Sequence, residues 1–133
     1  MSLAADRNTP SQDAEVISVP VAAGVTIFAG ALVAANATGF GTPGAKATTL
    51  TYIGRAEEYA NNAAGANGAV TVRVRRRRAF YWANSATDLV TQASLGKPCY
   101  IVDDQTVSGT NGANTQSAAG VVIGLDANGV WVE

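Results

Sequence analysis

The stretch Ala69-Val-Thr-Val-Arg-Val-Arg-Arg-Arg-Arg-Ala-Phe-Tyr-Trp-Ala83 decides how the chain is read. It begins in strict alternation, with Val70, Val72 and Val74 on one face and Thr71, Arg73 and Arg75 on the other. That alternation is the signature of a half-buried strand. Continued in register, it would set Arg76 and Arg78 on the valine face, followed by Phe80 and Trp82. Either the valine face leaves the core at Arg76, or a β-bulge near Arg76 to Arg78 resets the register.

Upstream of this segment every element is short. Val16 to Val19 reads as a strand closing at Pro20, and Val25 to Phe28 and Ala31 to Ala35 as two more, split at Gly30. Asn36-Ala-Thr-Gly39 and Gly41-Thr-Pro-Gly44 are turn clusters. Leu50 to Tyr59 reads as a strand with neither face wholly apolar, and Asn61 to Gly68 as a small polar loop whose length suits mobility or contact.

Downstream, Asn84 to Asp88 is a turn, and Thr91 to Leu95 has room for one helical turn, with Thr91 as N-cap and Gly96 as its left-handed stop. Pro98 to Val102 reads as a buried strand ended by Asp103-Asp104, and residues 108–118 as a polar loop with almost nothing to bury. Gly120 to Leu125, the turn Asp126-Ala-Asn-Gly129 and Val130 to Val132 form a hairpin. Short strands with turn signals about every eight to twelve residues predict an all-β fold, an antiparallel β-sandwich or barrel with at most one short helical turn. Residues 1–15, polar and without periodicity, read as a flexible N-terminal arm, and residues 16–133 as a single β domain.

A chain of 133 residues is long enough to bury a real core without staples. Its single cysteine, Cys99, cannot form an intramolecular disulfide, which points to a reduced, intracellular origin. The N-terminus lacks a basic region followed by an apolar run, so no signal peptide is read there. Val16 to Ala37, the most apolar stretch, is broken by Pro20, Gly24 and Gly30, so no membrane helix is expected. Charged residues make up 14% of the chain and hydrophobic ones 47%, much of the latter alanine, a composition that suits a surface packed against another molecule. The net charge of −1 hides an asymmetry: Ala69 to Thr87 carries five arginines and no acid, whereas the residues from Asp88 onward carry five acids against Lys97.

With no histidine and one cysteine, the usual zinc sets and every histidine-based triad are excluded. Asp103-Asp104 and Glu57-Glu58 are neighbours on strands, so their side chains point to opposite faces and neither pair presents two carboxylates at one site. Ser94, Ser108 and Ser117 lack an activating base, and Cys99 lies in an apolar run that suits an inert core thiol. The glycine-bearing turn Gly39 to Gly44 lacks the ending of a phosphate-binding loop. No catalytic residue, metal ligand or cofactor site is assigned, and the chain is not expected to be an enzyme.

The arginine run supports two kinds of contact. Clustered guanidinium groups beside Phe80, Tyr81 and Trp82 suit phosphates and stacked bases, which makes a nucleic-acid-binding β-barrel using Arg73 to Arg78 the alternative reading. The chain's pI near 5.3 lacks the broad positive field of such binders. Arginine is equally favoured in protein interfaces, where its planar fork pairs with carboxylates.

Four segments in order carry a family resemblance: Val21-Ala-Ala-Gly-Val-Thr-Ile-Phe-Ala-Gly-Ala-Leu-Val-Ala34, Ile53-Gly-Arg-Ala-Glu-Glu-Tyr59, Val70-Thr-Val-Arg-Val-Arg-Arg76, and Gly96-Lys-Pro-Cys-Tyr-Ile-Val-Asp-Asp-Gln-Thr-Val107. With the closing Gly120-Val-Val-Ile-Gly124 hairpin, they resemble the head decoration, or capsid cement, proteins of tailed bacteriophages over about residues 16–133. The resemblance implies a jelly-roll-like or barrel domain without enzymatic activity. Its place would be the outer surface of a virion head, bound to the major capsid protein, after synthesis in the bacterial host cytoplasm. It also implies a homo-oligomer, a dimer as the first expectation and a trimer as the second. On this reading Arg73, Arg75, Arg76, Arg77, Arg78, Phe80, Tyr81 and Trp82, together with Asp6, Arg7 and Asn8 of the arm, are the expected protein-interface residues.

Overall fold

A computed structural model describes residues 1–133 and is all-β. Strands β1 (Val16–Pro20), β2 (Thr26–Ile27), β3 (Leu32–Ala35), β4 (Gly41–Pro43), β5 (Thr51–Ala56), β6 (Ala60–Asn61) and β7 (Thr71–Arg75) make up the first half. The second half holds β8 (Phe80–Asn84), β9 (Pro98–Ile101), β10 (Thr106–Ser108), β11 (Ala118–Leu125) and β12 (Val130–Val132). No helix is long and apolar enough to cross a membrane.

The first half forms a five-stranded sheet in the order β1-β7-β5-β3-β4, with β2 and β6 paired beside it. The second half closes into a five-stranded barrel in the order β10-β8-β12-β11-β9. Closure leaves no free edge in the barrel. Every strand pair is antiparallel except β8 with β10.

Two apolar clusters hold these halves. Val19, Val21, Ile27, Val33, Val72 and Val74 lie in the sheet-side core; Phe80, Trp82, Cys99, Ile101, Val122, Val130 and Val132 lie in the barrel-side core. Strand β3 belongs to both. Leu32 and Ala34 face the barrel side, while Ala31 and Val33 face the sheet side, and all four are buried. Burial on both faces is why this strand is written as an unbroken apolar run, where a half-exposed strand would alternate.

The arginine segment resolves in favour of the first alternative. Val72 and Val74 are fully buried, the ladder with β1 ends at Val16↔Arg75, and the chain then leaves the sheet through Arg77, whose φ is 61°. Alternation restarts in β8, where Phe80 and Trp82 point into the other core. The arginine run is therefore a linker between two cores.

Several sequence readings change: Gly41–Pro43, read as a turn, is strand β4, and the strand read over Leu50 to Tyr59 stops at Ala56, with Glu57 and Glu58 in a bend. Residues 108–118 bury Gln116 and Ser117, and the Gln116 amide donates to the Ile101 carbonyl and to Ser108 Oγ, each at 2.9 Å. A buried amide with satisfied partners fixes a loop that its polar composition presents as free. The Asn61 to Gly68 loop is likewise pinned, because buried Asn62 donates to the carbonyls of Val21, Ala22 and Ala66. The helical turn is a 3₁₀ turn at Gln92–Ser94, and Thr91 makes no side-chain cap; Gly96 follows with φ 79°. Three residues are too few for an α-helical cap to matter.

Candidate protein-docking surface

Ion pairs organise the first half around the arginines. Strand β5 carries Arg55, and Glu57 and Glu58 follow it directly, so the carboxylates stand beside β7. Arg55 pairs with Glu57 at 2.7 Å, Arg75 with Glu57 and with Glu15 at 3.3 Å each, and Arg73 with Glu58 at 3.2 Å. Arg78 also pairs with Glu15. Hydrogen bonding from Arg55, with help from Arg75, holds the Glu57 carboxyl below its usual range against a smaller upward push from burial. The backbone N–H of Arg73, then its guanidinium, does the same for Glu58.

Arg76 and Arg77 have no carboxylate partner. Six guanidinium groups thus share three paired carboxylates, and with Glu133, which lines the same region without an ion pair, six cations face four acids, a surplus of two positive charges. A phosphate backbone binding across the run would have to displace Glu15, Glu57 and Glu58 from Arg73, Arg75 and Arg78. A single acidic group needs only Arg76 or Arg77.

Those two side chains line a cleft of ≈ 490 Å³ between the halves, together with Arg78, Ile17, Thr51, Tyr52, Ile53, Phe80 and Glu133. Arg55 lies over the Phe80 ring, 5.0 Å from its centroid. Tyr52 accepts a hydrogen bond from Trp82 Nε1 at 3.2 Å, and burial pushes its phenol up to about 12. It stays protonated across the physiological range and serves as a neutral wall.

The expected interface residues separate by burial. Phe80 and Trp82 are only 5% and 4% exposed and pack in the barrel-side core, Phe80 also bordering the cleft. Tyr81, between them, points outward. Asp6, Arg7 and Asn8 are exposed and form no ion pair or hydrogen bond with the arginine region. The base of the arm is different: the Glu15 carbonyl accepts from the Arg76 N–H at 2.8 Å, and its carboxylate joins Arg75 and Arg78.

A second exposed group lies on the barrel exterior and is absent from the expected set. Tyr81 is paired with Trp131 across the β8–β12 ladder, ring centroids 4.8 Å apart, and the two are 39% and 44% exposed. On the neighbouring β11, a register shift between Val122 and Gly124 leaves Ile123 unpaired, and Val121 and Ile123 are both exposed. The Tyr81 hydroxyl donates to Asp126 Oδ1, which raises the phenol and lowers the carboxyl. The result is an aromatic and aliphatic stripe on a closed ladder, held at one edge by a polar latch. Its sequence signal was present in the final hairpin: with Val130 and Val132 facing inward, Trp131 must face out. Phe28 and Tyr59, also exposed, form another aromatic pair with centroids 5.6 Å apart.

Cys99 is buried, and desolvation pushes its thiol up to about 12, which keeps it an unreactive thiol. No group of three or more His, Cys, Asp or Glu side chains is placed to share a metal ion.

No protein-family model, curated protein or solved structure matches the chain.

Proposed function

We propose that the chain is a structural decoration protein that binds the outer surface of a tailed-phage head and stabilises contacts between major capsid proteins. The family resemblance along residues 16–133 supports this reading. The observation that carries it is the exposed stripe Tyr81, Trp131, Ile123 and Val121 on the barrel exterior. Rigid aromatic side chains desolvate a large area with little loss of rotamer freedom, which is why tryptophan and tyrosine dominate the energetics of protein interfaces. A closed ladder presents them without prior rearrangement. Repeated over a shell, even a weak contact of this kind gives large collective stability. Self-association as a dimer or trimer on the shell and location in the virion belong to the same proposal.

Particles produced by the strain that encodes the chain supply the test. Mass spectrometry of purified heads is expected to find the chain in hundreds of copies per particle. The double variant Trp131→Ser/Ile123→Ser should fold, yet leave heads undecorated and less resistant to heat. Absence of the chain from heads, or full decoration by the double variant, would overturn the assignment.

A further inference from the structure

The departure of the arginine linker leaves a strand edge open. Strand β7 pairs with β5 only at Arg55↔Arg75 and Ala56↔Val74, because the chain turns away at Arg77. On its other side β5 remains paired with β3 as far as Ala35↔Thr51. Thr51, Tyr52 and Ile53 therefore have no strand partner on the side that faces Arg76 to Arg78 across the cleft. Ile17, Ile53 and Phe80 supply apolar lining, and Arg76 and Arg77 supply the two unpaired cations.

We propose that this cleft captures an extended, acidic and apolar segment of another protein chain, which adds as a short strand to β5 at Thr51–Ile53 and pairs its carboxylates with Arg76 and Arg77. Strand addition draws affinity from main-chain hydrogen bonds and specificity from pockets for alternate side chains. Both parts are in place here. The arginine rim already holds one backbone-and-carboxylate ligand of its own: Glu15, just before β1, accepts the Arg76 N–H through its carbonyl while its carboxylate sits with Arg75 and Arg78. The cationic rim also repels basic strands and the equally cationic edge of a second copy, which protects an open edge against indiscriminate pairing. Arg77 is held at φ 61°, a conformation unfavourable for a long side chain, and such strain clusters where a backbone is committed to a binding geometry.

The probe is a fluorescein-labelled hexapeptide of alternating glutamate and valine, titrated into the free chain and followed by anisotropy. Peptide binding is read without any shell, so its failure and a failure to decorate heads are separate results. Binding is expected to weaken by about tenfold or more when glutamates become lysines, when a central valine becomes proline, and in Arg76→Ser/Arg77→Ser. Thermal melting of that variant should match the parent, since neither guanidinium holds an ion-pair partner and the Arg76 N–H to Glu15 is a backbone bond that serine keeps. Amide exchange at Thr51 to Ile53 should slow in the complex. No binding up to about 1 mM, affinity indifferent to the central proline, or protection located elsewhere would overturn the assignment.

Discussion

Strands β7 and β8 lie on either side of the same linker and share one inward pattern, yet their outward faces differ in kind. Arg73 and Arg75 of β7 look out onto carboxylates from their own chain, at Glu15, Glu57 and Glu58. Tyr81 of β8 looks out onto Trp131, and apart from the hydroxyl latch to Asp126 this pair is open to solvent. The first face satisfies itself, and the second does not. A surface whose charges are already paired offers a partner little, because breaking those pairs offsets what new pairs contribute. An exposed aromatic pair loses nothing on being covered. The most basic segment in the sequence is therefore largely engaged within the fold, and the open surfaces are the barrel stripe and the two unpaired arginines.

The largest separation between the strands should come from neighbouring aromatic residues of β8. Trp82→Ala removes a buried side chain and the partner of Tyr52 and is expected to cost about 3–5 kcal/mol in urea unfolding. Tyr81→Ala, one residue away but outward, should cost no more than about 1 kcal/mol. Similar costs for both would erase the inward and outward distinction on which the docking face rests.

Gly54 comes next, because it sets where the linker leaves the sheet. A Cβ there would overlap the Arg75 carbonyl oxygen, so Gly54→Ala should destabilise by about 1–3 kcal/mol through backbone displacement. An unchanged unfolding midpoint would mean that β7 is free to move off β5.

A smaller effect tests the self-paired face. Glu57 and Glu58 have folded values below their ordinary ones, so the stability they contribute is present above about pH 4.3 and is lost as pH falls through the lower folded values. Glu57→Gln should reduce stability at neutral pH by about 1 kcal/mol or less and flatten the loss on acidification. Parallel urea midpoints for parent and variant from about pH 6 to about pH 3 would contradict the paired carboxylates.

The smallest effect has the opposite sign. Arg77→Gly relieves a left-handed residue at the expense of added freedom in the unfolded chain and should leave stability unchanged or raise it by up to about 1 kcal/mol. Arg75→Ser, in the paired ladder next to it, should only lower stability. A loss for both, read by thermal melting, would show that Arg77 is held by contacts of its own.

Much of this arrangement was legible in the chain itself. Valine alternation from Val70 to Val74, the turn clusters and the final hairpin led to an all-β fold, and the broken alternation marked the end of β7 at the right residue. What stayed hidden depended on long-range partners. Glu15 and Glu57 lie far from Arg75 in sequence, so the neutralisation of the arginine strand requires the β1–β7–β5 order to be known. Phe80 and Trp82 look like surface aromatics beside four arginines, and only the switch from one core to the other buries them. Gln116 and Asn62 read as loop residues because composition carries no record of which carbonyls they reach. Trp131, by contrast, was readable from its valine neighbours.

Oxidative footprinting of the two tryptophans, in the free chain and in purified heads, tests the docking face most directly. Trp82 should be protected in both states and serves as an internal reference. Trp131 should be readily oxidised in the free chain and shielded several-fold in heads. Equal oxidation of Trp131 in the two states, with the chain present on the particle, would contradict the barrel stripe as the surface that meets the shell.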